Sequence, residues 1–82
     1  MFKVYVLFSV THYKIYIGYT SDLDKRFISH NEKGRGWTAK FRPWEIIHTE
    51  MYSTKAEAIA REKALKSGQG RKWIHEFIIP KQ

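Results

Sequence analysis

The sequence predicts a small α/β (α+β) domain, a three-stranded antiparallel sheet flanked by helices. Three observations predict it. Residues 2–10, 14–20 and 45–51 alternate with the period of strands. Helical spacing takes over from Leu23 to His30, from Thr54 to about Ser67, and from Arg71 or Lys72 to Ile79. Capping or breaking residues bound those runs, with Ser21 and Thr54 at the starts and Gly68, Gly70 and Pro80 at the stops.

Eighty-two residues form one domain, 1–82. A chain this short buries only about 60–65% of its extended surface, so its core is modest. Three Trp, five Tyr and five Phe compensate, because each ring buries a large area. The absence of cysteine excludes a disulfide framework and a zinc–thiolate site. No apolar run approaches membrane-spanning length and no charged-then-apolar leader is seen, so a cytoplasmic protein is expected. Fifteen Lys and Arg against eight acids give a net charge of +7. Such a balance suits nucleic acid, although a merely basic solvated surface has the same composition.

In the first strand, Phe2 to Val10, Val4, Val6 and Phe8 share one face while Lys3, Tyr5 and Leu7 share the other. Thr11 to Tyr13 separates two strand-like runs, which predicts a hairpin whose turn type stays open without Asn-Gly or Asp-Gly. With an even loop, Tyr5 and Tyr16 project from one face. A two-residue loop at Thr11-His12 puts Tyr5 opposite Gly18 and diagonal to Tyr16, leaving space between two hydroxyl-bearing rings. On residues alone, both rings could equally pack on the sheet with their hydroxyls in water.

The second strand gives way at Gly18 to a helix capped by Ser21, with Asp24 three positions on and Asp22 near the positive end of the dipole. Leu23, Arg26, Phe27 and His30 fall on one face of that helix. Leu23 and Phe27 would seat it on the sheet, with Arg26 and His30 near the strand tyrosines.

Glu32 to Trp44 has no clear periodicity, and loops of this length are commonly functional or mobile. Lys33, Arg35, Lys40 and Arg42 interleave with Trp37, Phe41 and Trp44. Cations meet phosphates and rings stack on bases, so the stretch is a candidate DNA contact. Trp44, beside Pro43, is expected to pin the loop to the core instead.

In the third strand, Glu45 to Met51, Ile46, His48 and Glu50 alternate with Ile47, Thr49 and Met51. Thr54 and Glu57 form a capping box for the second helix, where Ile59 and Leu65 flank Glu62 at about 60° on either side. A carboxylate there sits at a core edge or in a cleft. Spacing alone leaves a second role open, a surface pair with Lys66 at i+4. Trp73, Ile74, Phe77 and Ile78 line one side of the third helix. His12, His48 and His75 lack metal-ligand spacing and read as structural or surface residues.

Tyr16-Ile17-Gly18, followed by Thr20, Asp22-Leu23, Arg26 and His30-Asn31, resembles the GIY-YIG nuclease family. The upstream motif is matched by Lys3-Val4-Tyr5, with Lys3 in place of glycine and Val4 in place of isoleucine. The resemblance runs from about Phe2 to about Lys66, and points to the small stand-alone, excinuclease-like bacterial members. It implies a Mg²⁺- or Mn²⁺-dependent DNA endonuclease, in repair or recombination. Glu62 would bind the metal, and Arg26 would stabilise charge on the phosphorane. Tyr5 would deprotonate or orient the water, Tyr16 would join its network, and His30 would relay the proton. Lys66 joins the loop residues as a candidate DNA contact.

The asparagine that supports the site in many members is absent after Glu62, leaving Gln69 or Arg71 as stand-ins. The alternatives are a non-catalytic nucleic-acid-binding module of the same fold and a protein-interaction adaptor. A partner protein could supply targeting.

Overall fold

A computed structural model describes residues 1–32 and 36–79. Strands β1 (Phe2–Ser9), β2 (Lys14–Thr20) and β3 (Glu45–Tyr52) form an antiparallel sheet in the order β2-β1-β3. Helix α1 (Leu23–Glu32) follows β2, and a short 3₁₀ turn (Thr38–Phe41) precedes β3. Helices α2 (Lys55–Lys66) and α3 (Gly68–Trp73) complete the chain, and α3 passes into a π-helical segment (Ile74–Ile78).

The central strand is covered on both faces. Val4, Val6 and Phe8 meet Ile17, Ala58, Leu65, Ile74 and Ile79, the side of α2 and α3. Tyr5, Leu7 and Trp44 meet Tyr16, Leu23, Phe27 and Phe41, the side of α1. Each fully buried aliphatic side chain of β1 contributes about 1.5–3 kcal/mol, so this strand anchors the domain.

The hairpin has the expected register, with Tyr5 opposite Gly18 and Leu7 opposite Tyr16. Its connection is longer than expected. The last pair is Ser9 with Lys14, so the loop is residues 10–13 and the even parity survives. Tyr13 closes the loop in the left-handed region, at φ 53°, a conformation that costs an L-residue about 1–2 kcal/mol.

Four other details depart from the sequence reading. Asp22, rather than Ser21, caps α1, since its Oδ1 accepts from the Lys25 amide at 3.1 Å; the Thr20 hydroxyl holds Asp22 through its own N–H and C=O. A bulge in β3 pairs Val6 with His48 but Leu7 with Ile46. Ile46 and His48 therefore lie on opposite faces instead of sharing one.

The third departure is the start of α3 at Gly68 rather than at residue 71 or 72. Ser67 ends α2 and at once accepts a hydrogen bond from the Gly70 amide, so the glycines lie inside a helix. Gly70 is required there by closeness: a Cβ would lie 2.5 Å from the Leu65 Cα and carbonyl oxygen.

The fourth is a polar hub behind the sheet. Glu50 accepts from Arg61 at 2.8 and 3.0 Å and from the Tyr52 hydroxyl at 2.5 Å, and it bonds His48 Nε2 at 2.7 Å. Trp73 packs against both His48 and Arg61. Burial alone would raise the Glu50 carboxyl, but the bonds from Arg61, His48 and Tyr52 outweigh it and hold the group at about 2. Because the folded value lies below the unfolded one, the hub stabilises above about pH 4.5, and that stability drains away as pH falls toward 2. Glu50→Gln is therefore expected to lose on the order of 2–3 kcal/mol at pH 7 and to flatten the stability profile between pH 5 and 3. Urea denaturation across that range measures both.

Candidate active site

A cleft of about 400 Å³ opens at the Gly18–Thr20 end of β2. Tyr5 and Tyr16 form its floor with Gly18, Arg26 enters from α1, and Lys55 and Glu62 enter from α2. The residues the sequence ties together across nearly sixty positions thus meet in one concavity, with His30 behind it.

Tyr5 is 1% exposed, and its hydroxyl lies 3.0 Å from His30 Nε2. The Tyr16 ring stacks 6.2 Å from Tyr5 and lies 4.5 Å from His30. Gly18 keeps the hydroxyl uncovered, because a Cβ at this position would sit 2.7 Å from the Tyr5 oxygen.

Burial and the neighbouring Tyr16 push the Tyr5 phenol well above its ordinary range, with Glu62 adding to the effect and Arg26 opposing it. Tyr5 is thus a phenol at neutral pH, and the expectation that nearby cations lower it fails. Burial, followed by Arg26 and Arg42, pushes His30 below its ordinary value. A neutral imidazole with its proton on Nδ1 presents an Nε2 lone pair, so Tyr5 O–H donates and His30 accepts. The pair can pass a proton away from the cleft and back.

Ile59 and Leu65 flank Glu62 as the helical spacing predicts, with Leu65 fully buried. The Glu62 side chain is 17% exposed and also meets Lys66 Nζ at 3.4 Å. Both sequence roles are therefore realised in one residue. Among the described residues, no three His, Cys, Asp or Glu side chains cluster as a metal cage. A single carboxylate in an open cleft suits a hard cation that keeps most of its waters and takes its remaining oxygens from phosphate.

The basic loop divides between tasks. Lys33 and Arg35 lie outside the described residues. Arg42 departs from the expected phosphate contact: its Nε donates to the His30 carbonyl at 2.6 Å and an NH₂ to that of Ser29 at 3.3 Å, closing the C-terminal turn of α1. Trp44 pins the loop, being 2% exposed, exchanging backbone bonds with the Asn31 side chain and donating its indole N–H to the Thr38 carbonyl. Lys40 is exposed, and Trp37 is 48% exposed with its ring 6.4 Å from that of Tyr16.

Neither expected stand-in for the missing asparagine lines the cleft. Gln69 lies in a separate groove with Arg61 and Trp73, and Arg71 donates to the Lys66 carbonyl at 3.1 Å. Lys55 is the residue that sequence reasoning missed. Its position seven residues before Glu62, two helical turns along the same face, was the available signal.

Comparison with known proteins agrees with this geometry. A UPF0213 protein of Bacillus pumilus (strain SAFR-032) is 39% identical over 72 residues, covering 83% of this chain and 74% of the relative. One from Bacillus velezensis (strain DSM 23117 / BGSC 10A6 / LMG 26770 / FZB42) is 45% identical over 69 residues, covering 83% and 69%. The solution NMR structure of the UPF0213 protein BH0048 from Bacillus halodurans superposes with a TM-score of 0.55 at 26% identity, covering 93% of this chain and 84% of that one. Among the described residues, no helix is long and apolar enough to cross a membrane. The family model of the GIY-YIG catalytic domain matches residues 1–73, and the chain belongs to the GIY-YIG nuclease family.

Proposed function

We propose that the protein is a metal-dependent DNA endonuclease that hydrolyses phosphodiester bonds in the Tyr5–Glu62 cleft. The observation that carries this reading is the Tyr5–His30 hydrogen bond at the floor of a cleft that Arg26 and Glu62 also line. Glu62 is the residue that would hold Mg²⁺ or Mn²⁺, which when bound supplies Lewis-acid stabilisation of the phosphoryl and leaving oxygens. The chain's own residues do the rest. Tyr5 accepts a proton from the attacking water as its own moves to His30 Nε2. The water oxygen bonds to phosphorus and the bond to the 3′ oxygen breaks. Arg26, planar and permanently charged, faces the equatorial oxygens as their charge grows. The net charge of +7 draws the polyanion to the cleft.

Repair and recombination intermediates fit as substrates for a domain this small, with a partner protein supplying further targeting. Nicking of supercoiled plasmid and of flap, fork and junction DNA tests the reading. Cutting with Mg²⁺ or Mn²⁺, abolished by chelator, is the expected result. Salt-sensitive binding with no cutting on any substrate would replace it with a binding module. Arg26→Lys is expected to slow single-turnover cleavage nearly as much as Arg26→Ala, because a point charge does not reproduce bidentate contact with phosphate. Near-normal turnover by the lysine variant would reduce Arg26 to a source of charge.

A further inference from the structure

The opposite end of β2 carries a second cleft, of about 320 Å³, lined by Tyr13, Lys14, Ile15, Trp37, Arg71 and His75. That volume lies within the range of roughly 300–1,000 Å³ typical of small-ligand sites. We propose that this cleft is a stacking site for an unpaired base of a DNA strand, contacted by Tyr13 and Trp37 with Lys14 and Arg71 on the adjoining phosphates. As a guide to substrate class, it rests on the nuclease reading of the neighbouring cleft.

Four observations support it. Tyr13 and Trp37, two of the cleft's large rings, are 61% and 48% exposed, although rings of this size normally dominate cores. Three basic side chains accompany them, and no acidic residue lines the cleft. Flat rings beside cations without a carboxylate select a flat, anionic ligand over an aliphatic or cationic one.

The walls are also held in place. The Tyr13 ring meets Phe8 edge-on at 5.5 Å and lies 6.1 Å from His75. Arg71 is oriented by its Nε bond to the Lys66 carbonyl, and Lys14 Nζ stands 5.7 Å over the Phe41 ring. Finally, Tyr13 adopts φ 53°, where glycine or asparagine would be less strained, so the ring is kept against a backbone preference.

The two clefts belong to one path. Trp37 lies in the second, and its ring is 6.4 Å from Tyr16 on the floor of the first. From Tyr13 to Gly18, five residues of extended chain span about 17 Å. That is about five nucleotides of stacked strand at 3.4 Å each. A strand cut beside Glu62 can therefore lay an unpaired base between Tyr13 and Trp37, whereas bases paired in a duplex keep their faces stacked on one another.

The test is binding of the full chain, in chelator, to a ten-nucleotide oligothymidylate and to a blunt duplex, read by tryptophan quenching and fluorescence anisotropy. Tyr13→Gly is expected to weaken oligothymidylate binding about tenfold and duplex binding less than twofold, while Tyr13→Phe, which keeps the ring, binds like the parent. Arg71→Ala should lower the salt slope for the single strand by about 0.7. Should Tyr13→Gly melt early, Lys14→Gln at an exposed site carries the same slope test. Unchanged single-strand affinity for Tyr13→Gly, or equal losses on strand and duplex, would overturn the stacking site. Cleavage by the parent protein alongside such Tyr13-insensitive binding would leave the nuclease reading standing. Tyr13-dependent binding by a protein that cuts nothing would do the reverse.

Discussion

Tyr5→Phe is expected to slow cleavage by about 10²–10⁴-fold, the usual contribution of a positioned acid–base group. The ring, and with it the packing beside Leu7 and Trp44, is retained. What is lost is the hydroxyl that links the cleft to His30 Nε2 at 3.0 Å. The buried His30 nitrogen loses its partner at a cost of about 1–3 kcal/mol, so denaturation midpoints should fall modestly while the fold persists. DNA affinity should be unchanged, since the phenol is neutral.

Gly18→Ala approaches the same atom from the other side. Its Cβ would press on the Tyr5 hydroxyl, so cleavage should fall with the tyrosine still present. The proton path also fixes the sign of the pH dependence. His30 must be neutral to accept, and its value lies below the ordinary 6.5. The acid limb of the rate profile therefore falls below pH 6.5, and His30→Ala should remove that limb together with most of the rate. A fast Tyr5→Phe enzyme would remove the hydroxyl from the mechanism.

Much of this site was legible in the sequence because it depends on parity and helical period. Tyr5 opposite Gly18 needs only an even hairpin loop, and loops of two or four residues give the same register. Leu23, Phe27 and His30 reach one face of α1 by spacing alone, and Glu62 is set between Ile59 and Leu65 in the same way. Interactions that cross elements were not legible. Arg42 and Trp37 look alike in a basic, aromatic loop, yet one closes α1 while the other lines a cleft. The bulge between Ile46 and His48 has no local signal, since both residues suit a strand on either face. The charges of Glu50 and Arg61 read as surface until the fold brings β3 and α2 together. The tyrosine's chemistry was inverted for a similar reason, because burial is a tertiary property that outweighs the nearby cations.

Glu62→Gln changes the reaction most selectively. The amide keeps size and helix fit but loses the charge that a cation needs in a cleft where Glu62 is the one acid among the lining residues. Lys66 loses its 3.4 Å partner, worth only a few tenths of a kcal/mol at i+4, so the fold should hold. DNA affinity in chelator should hold or rise, since one repulsion of phosphate is gone.

The most direct measurement is the cleavage rate of the parent protein and Glu62→Gln across a Mg²⁺ titration, with DNA binding measured separately in chelator. The parent rate should rise and saturate with Mg²⁺. The variant should bind DNA at least as well and yet cut more than about 10²-fold more slowly at every Mg²⁺ concentration. A Glu62→Gln protein that cuts at the parent rate, with the same Mg²⁺ dependence, would contradict the assignment of this cleft as a single-carboxylate metal site.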